Sequence, residues 1–287
     1  MASGGRGVQR VLVKLERSIQ EGNYYEAHQM YRTLYFRYNA QKRYTEAADL
    51  LYTGALTLLN AGQQQSGVDL AMLFIDTLEK AADSVSEDSI KKVCKLHELV
   101  DPDIQERANL VTAAIKWSRK GAREMLSGHP SLHQQLAVTL WHEKNYSQAR
   151  YHFLNSSDGE GCAAMLIEYH VTLGYPSEVD LFITQAVLQY LCHRNKPTAE
   201  RCLNCYTKQH PQVEPGPPYY RPLLNFLWLL LLAVEGGKVA VFTILCEQYQ
   251  PSLQRDPTYN EYLDKIGQLF FGLPPPAKPQ SSRLFGK

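Results

Sequence analysis

Asn23-Tyr24-Tyr25-Glu26-Ala27 decides how this chain folds, because it returns as Arg43-Tyr44-Thr45-Glu46-Ala47 and again as Asn145-Tyr146-Ser147-Gln148-Ala149. Each copy places an aromatic residue three positions before an alanine, at the start of a helical pattern. The aromatic can pack on the neighbouring helix, and the small alanine lets two helices approach closely. Tetratricopeptide-type repeats open their second helix in this way. The first two copies lie 20 residues apart, whereas a regular array would repeat at about 34. The expected fold is therefore all-α: an irregular tetratricopeptide-like α-solenoid of antiparallel helix pairs, each burying its apolar face by stacking on the next.

Working outward, helical periodicity is general. Val8, Val11, Leu12, Leu15 and Ile19 recur three and four apart, as do Leu70, Leu73, Phe74, Leu78 and Ala81; such spacing lines one face of a helix. Breakers at Glu21-Gly22-Asn23, Gly62 to Gly67, Gly128-His129-Pro130, Asn155 to Gly159, Gly174-Tyr175-Pro176 and Asn195-Lys196-Pro197 divide the chain into about fourteen helices with short loops, which force antiparallel neighbours. Asp101-Pro102 predicts a further helix start, with Asp101 as N-cap and Pro102 in the first position. No alternating run flanked by Asn-Gly or Asp-Gly turns is present, so strands are not expected.

The prolines set the divisions. Pro211, Pro215, Pro217, Pro218 and Pro222, with Gly216, exclude a helix over 211–222. The expected organisation is an N-terminal solenoid over 1–210, a Pro-rich loop over 211–222, a C-terminal helical module over 223–273, and a Pro/Ser-rich disordered tail over 274–287.

Composition narrows the function. The chain has 287 residues, 44% apolar, enough for a sizeable core. Thirty Lys+Arg against 29 Asp+Glu leave a net charge of +1, which argues against a general nucleic-acid-binding surface. Six cysteines are too sparse for a disulfide scaffold and suit a reducing compartment. Met1 to Gly7 has no apolar core of an export signal. The longest apolar run, Leu223 to Val234, is interrupted by Asn225 and falls short of the roughly 18 residues a membrane span needs.

Reaction chemistry is hard to find. There is no G-x-G-x-x-G opening a helix, no Walker loop, no G-x-S-x-G and no H-E-x-x-H. Cys202-Leu203-Asn204-Cys205, near Cys192 and His210, is the best metal candidate. It lies inside a helical pattern, where such a pair reads as core, and a redox reading would want a βαβ setting. His129 and His133 flank Pro130, which points to capping and packing. No catalytic, cofactor or metal residue is predicted.

Charge is placed unevenly. Residues 1–60 carry eight Lys/Arg and five Asp/Glu; residues 61–110 carry five and ten. Arg6, Arg10, Lys14 and Arg17 form a basic stripe on the first helix. Asp69, Met72, Asp76, Glu79 and Asp83 share the same spacing on the fourth. A charged stripe usually serves as a solvated face, but two of opposite sign on a chain without reaction chemistry point to docking. In the C-terminal module, Leu223 to Leu232 is apolar all round and must be covered on every side, by the final helix Thr258 to Phe271 or by a second protein.

A longer match is carried by Gly22-Asn23-Tyr24-Tyr25-Glu26-Ala27-His28-Gln29-Met30-Tyr31-Arg32-Thr33. With it go Gly54-Ala55-Leu56, Lys116-Trp117-Ser118, Gly128-His129-Pro130-Ser131-Leu132-His133 and Gly267-Gln268-Leu269-Phe270-Phe271-Gly272. Over about residues 7 to 273 the chain resembles the cytosolic scaffold subunits of the guided-entry pathway for tail-anchored membrane proteins. This is the Golgi-to-ER traffic family, to which the 35-kDa subunit of the animal transmembrane-domain recognition complex belongs. The resemblance implies a non-enzymatic cytosolic adaptor without cofactors. Its N-terminal half would dock the ATPase that carries tail-anchored proteins to the endoplasmic reticulum. Its C-terminal half would bind a large BAG-family scaffold protein in animals, or a ubiquitin-like adaptor in fungi, and would mask a nuclear-import signal on the scaffold. Asp69 and Asp76 align with family acids that act on the ATPase, and Arg10, Lys14 and Arg17 occupy the anchoring face of the first helix. Leu227, Trp228, Leu231, Tyr249, Tyr259 and Tyr262 are the candidate scaffold-binding residues. Fungal members place a β-hairpin where this chain has Pro211 to Pro222. Neither nucleic acid nor direct membrane insertion is implied. The alternative reading is a tetratricopeptide-like peptide-binding subunit of another assembly, which a groove of Asn, Lys and Arg would favour; an enzyme comes third.

Overall fold

The computed structural model of the chain describes residues 3–81, 84–120 and 127–275. Among them are fifteen α-helices, one 3-10 turn and no strand. Two compact units, residues 1–139 and 140–287, divide the chain. The first holds α1 (Ser3–Gln20), α2 (Tyr24–Ala40), α3 (Tyr44–Asn60), α4 (Gln64–Lys80), α5 (Glu87–Leu99) and α6 (Glu106–Ser118). α7 (Pro130–His142) runs across the division. The second holds α8 (Tyr146–Leu154), α9 (Gly159–Leu173), the 3-10 turn Pro176–Glu178, α10 (Val179–Cys192), α11 (Lys196–Gln209), α12 (Pro222–Gly236), α13 (Val239–Gln248), α14 (Gln250–Leu253) and α15 (Thr258–Phe271). No helix of the described residues is long and apolar enough to cross a membrane.

The repeated motif is a junction with one backbone solution. A residue at positive φ (Gly22, Lys42 or Lys144) precedes each N-cap. The N-cap N–H then donates back to a carbonyl five residues earlier: Asn23 to Ser18, Arg43 to Tyr38 and Asn145 to Leu140, at 2.8–3.0 Å. This is the Schellman closure, which satisfies the outgoing helix while the next begins. Two further junctions use it without the aromatic: Gly62 with Gln63 bonded to Leu58, and Arg194 with Asn195 bonded to Tyr190. The residue four past each cap is small and buried: Ala27, Ala47, Gly67, Ala149 and Ala199. In the third predicted copy Tyr146 stacks on Tyr169 of α9, with ring centroids 4.7 Å apart.

Two local readings are corrected. Gly67 is not part of the break after α3 but sits in the first turn of α4. A Cβ there would lie 2.6 Å from Leu59 Cγ, so glycine is what lets α3 and α4 close up. Asp101 and Pro102 do not open α6. They form a turn in which the Asp103 N–H donates to Asp101 Oδ1 at 2.9 Å, and the helix begins at Glu106.

The Pro-rich segment carries no helix from 210 to 221, and Pro222 supplies the first residue of α12. Tyr219 anchors it: the ring is buried, the hydroxyl donates to Thr207 Oγ1 at 3.3 Å, and the backbone exchanges bonds with the Asn225 amide. The expected disorder over 274–287 falls, beyond Pro275, outside the described residues.

Candidate docking surfaces

On the first unit, α2 meets both charged stripes. Lys14 Nζ donates to Glu26 Oε1 at 2.7 Å, and Arg17 Nε to Glu21 Oε1 at 2.7 Å; Arg10 is exposed. The Lys14 ammonium holds the Glu26 carboxyl below its ordinary range. Along α4, Asp69 accepts from His28 Nε2 at 2.8 Å and from Arg32 Nη1 at 3.0 Å. Asp76 accepts from the Tyr35 hydroxyl at 2.8 Å and from Lys80 Nζ at 2.5 Å. Glu79 pairs with Lys116 of α6 at 2.8 Å. The hydrogen bonds to Asp76 and Tyr35 raise the Lys80 ammonium above its usual value. Asp83 and the Arg6 side chain lie outside what is described. The acidic stripe is thus matched internally and presents half-exposed ion pairs, with Phe36 standing out beside Tyr35 at 55% exposure. Pairs of this kind contribute about 0–1 kcal/mol each, so a charged partner can exchange with them at little cost.

On the second unit, α12 is covered by α10, α11, α13 and α14, while α15 packs chiefly on α10. Leu227, Leu231 and Tyr259 face the unit's own core. Trp228 is half-buried, and Tyr249 packs its ring on Phe226 with centroids 5.6 Å apart. Tyr262 is half-buried against α10, accepting from Gln189 Nε2 at 2.6 Å. The signal the sequence reading missed is α13. Val239 to Cys246 is apolar except for Thr243, yet only Phe242 and Leu245 of this helix are buried. Val241 and Ile244, with Leu232 of α12, are 47–58% exposed around a groove of about 540 Å³ between α12 and α13 that Tyr249 also lines. A contiguous exposed apolar surface of this kind marks a binding site. On the other side of α13 a second groove, about 480 Å³, carries Glu247 and Asp264. The charged stripes belong to the first compact unit and the apolar groove to the second.

Among the described residues no three His, Cys, Asp or Glu side chains are placed to hold a metal. Cys202 and Cys205 share α11, and the buried Cys202 thiol is pushed up by its bond to Cys162 and by burial. His133 is buried with Nε2 donating to Ser127 O at 2.9 Å.

The comparisons with known proteins agree with the solenoid. A structural search matches "Crystal structure of C. therm. Get4" with a TM-score of 0.86 and 29% identity, over 98% of this chain and 96% of that one. Among curated proteins, "Golgi to ER traffic protein 4 homolog" of Homo sapiens is 56% identical over 99% of this chain and 87% of its own length. The Xenopus tropicalis homologue is 57% identical over 98% and 86%, and that of Gallus gallus 53% over 99% and 86%. The family model described as Golgi to ER traffic protein 4 matches residues 41–286. On the strength of that match and of relatives alike over nearly the whole chain, the chain belongs to the Golgi to ER traffic protein 4 family.

Proposed function

We propose that this chain is a non-enzymatic adaptor in the delivery of tail-anchored membrane proteins to the endoplasmic reticulum, acting in the cytosol. In this reading the α1/α2/α4 face docks the targeting ATPase. The α12/α13 groove holds a BAG-type chaperone scaffold, with a ubiquitin-like adaptor bound directly or through it. The observation that carries the reading is the exposed apolar groove on α13 in a chain of this family. Burial of Leu232, Val241 and Ile244 by a partner would recover roughly 1–2 kcal/mol per side chain. The acidic groove beside it supports the masking of a nuclear-import signal, since such signals are basic and Glu247 and Asp264 offer the complementary charge.

Affinity purification of the tagged chain from cytosol, with mass spectrometry of what it retains, tests the reading. Recovery of a BAG-type scaffold and a targeting ATPase supports it. Recovery of neither, from a folded chain, refutes it.

A further inference from the structure

A third groove, on the second unit, shares no lining residue with the α12/α13 groove. α8, α10 and α15 border about 570 Å³, lined by three basic side chains: Arg150 of α8, His193 at the C-cap just past α10, and Lys265 of α15. One carboxylate, Glu261, lines the same space, and Tyr151 and Leu154 form an apolar wall. Tyr151 is 52% exposed there.

The donors are positioned but not consumed. Arg150 is oriented by one bond, Nη1 to Gln185 Oε1 at 2.5 Å, so the rest of its guanidinium fork is available. Lys265 forms no ion pair among the described residues, although Glu261 is one turn away on the same helix. The Gln189 amide and the Tyr262 hydroxyl are hydrogen-bonded at 2.6 Å, which fixes both at the floor of the groove. Partial burial and the Lys265 charge push the His193 imidazole down; a bound anion would oppose both. Guanidinium and ammonium donors converging from separate rigid helices suit carboxylates. The apolar wall and the single Glu261 do not suit a bare phosphate, but they do suit a chain that presents acids, apolar groups and amide N–H groups in turn.

We propose that the α8/α10/α15 groove binds an acidic linear segment of a partner protein, its carboxylates held by Arg150 and Lys265 and an apolar side chain resting on Tyr151 and Leu154. The site is separate from the α12/α13 groove, and the proposal does not depend on what occupies that groove.

The test is fluorescence anisotropy with the full chain and a labelled ten-residue peptide of alternating Glu and Leu, against its Gln/Leu counterpart. The Glu peptide should bind at least tenfold more tightly. Lys265→Glu should weaken it tenfold or more, and so should Ser147→Glu, which places a charge at the exposed rim of the groove. Ile244→Lys, in the apolar groove, should leave it unchanged. Equal binding of the two peptides, or full affinity in both charge variants with unchanged circular dichroism, overturns the proposal. So does flotation with phosphatidylserine vesicles that Lys265→Glu abolishes while peptide binding is absent, which would give the groove to an anionic membrane.

Discussion

Asp69 of α4 and Arg32 of α2 are bound to one another, with Arg32 Nη1 at 3.0 Å from both carboxylate oxygens and His28 Nε2 at 2.8 Å from one of them. An acid the sequence suggests to be a free charge is therefore part of an α2–α4 clasp. Asp69→Lys together with Asp76→Lys should set cations against Arg32 and Lys80. Both acids are partly solvated, so the cost in stability should be modest, about 1 kcal/mol in all, while ATPase binding should weaken or lose its regulation. Thermal melting and pull-down separate the two effects. Unchanged ATPase affinity and unchanged ATPase activity would count against the docking role.

Arg255 fastens the end of the C-terminal helices to α10. Its Nη1 donates to the buried Asp180 Oδ2 at 2.8 Å and its Nη2 to Ser177 O at 2.7 Å. Asp180 Oδ1 has no partner among the described residues, so this carboxylate depends on one arginine. Arg255→Ala should destabilise the chain by about 3 kcal/mol, because it strands a buried charge. Adding Asp180→Asn should recover part of that loss. Urea unfolding of the single and double variants measures both, and a double variant as weak as the sum of its parts would exclude the pairing.

Acid should loosen the root of the Pro-rich segment. The Gln212 N–H donates to His210 Nδ1 at 3.1 Å, so His210 Nε2 carries the proton it shares with His170 Nδ1 at 3.0 Å, and His170 Nε2 donates to Tyr175 O at 2.9 Å. With Nδ1 accepting, the His210 ring is neutral in this chain of bonds. Burial, then His170 and Arg221, lower the His210 imidazole to about 4. An unfolded histidine titrates near 6.5, so between about 6.5 and 4 the unfolded chain binds the extra proton. Stability should fall across that window by at most ~1.4 kcal/mol per pH unit. Melting temperatures from pH 7 to 4.5 should drop less steeply in His210→Gln; identical slopes would show that another group is responsible.

Gly67→Ala sets helix propensity against packing. Alanine gains about 1 kcal/mol in a helix interior, but its Cβ would lie 2.6 Å from Leu59 Cγ and 3.2 Å from the Leu59 nitrogen. Overpacking of this kind costs about 1–3 kcal/mol, so the net change should be a loss of roughly 1 kcal/mol, seen as a lower melting temperature. A gain would mean that α3 and α4 are free to separate.

The helices were legible because their punctuation is chemical. Asn23, Asn145, Asp158 and Asn195 each cap a helix through a side-chain oxygen, and that habit is written in residue type. The Gln63 junction was hidden because it lacks the aromatic and puts Gly67 where the other copies have alanine. The stripes of α1 and α4 were visible as charge, but their neutralisation by α2 and α6 depends on contacts between helices that no spacing reveals. Leu227, Leu231 and Tyr259 are buried among the helices of their own unit, and large apolar character by itself does not separate core from surface. Val241 and Ile244 reverse the case, since residues of the same character stay exposed only because α13 has few neighbours.

Two separable docking surfaces are the centre of this account. The most direct measurement is a side-by-side co-purification from cytosol of the unaltered chain, Asp69→Lys/Asp76→Lys, and Leu232→Lys/Ile244→Lys, with both partners quantified. The acidic-stripe variant should lose or misregulate the ATPase and keep the scaffold, and the groove variant should lose the scaffold and keep direct ATPase binding. Retention of both partners by both variants, or loss of both partners by each, would contradict it.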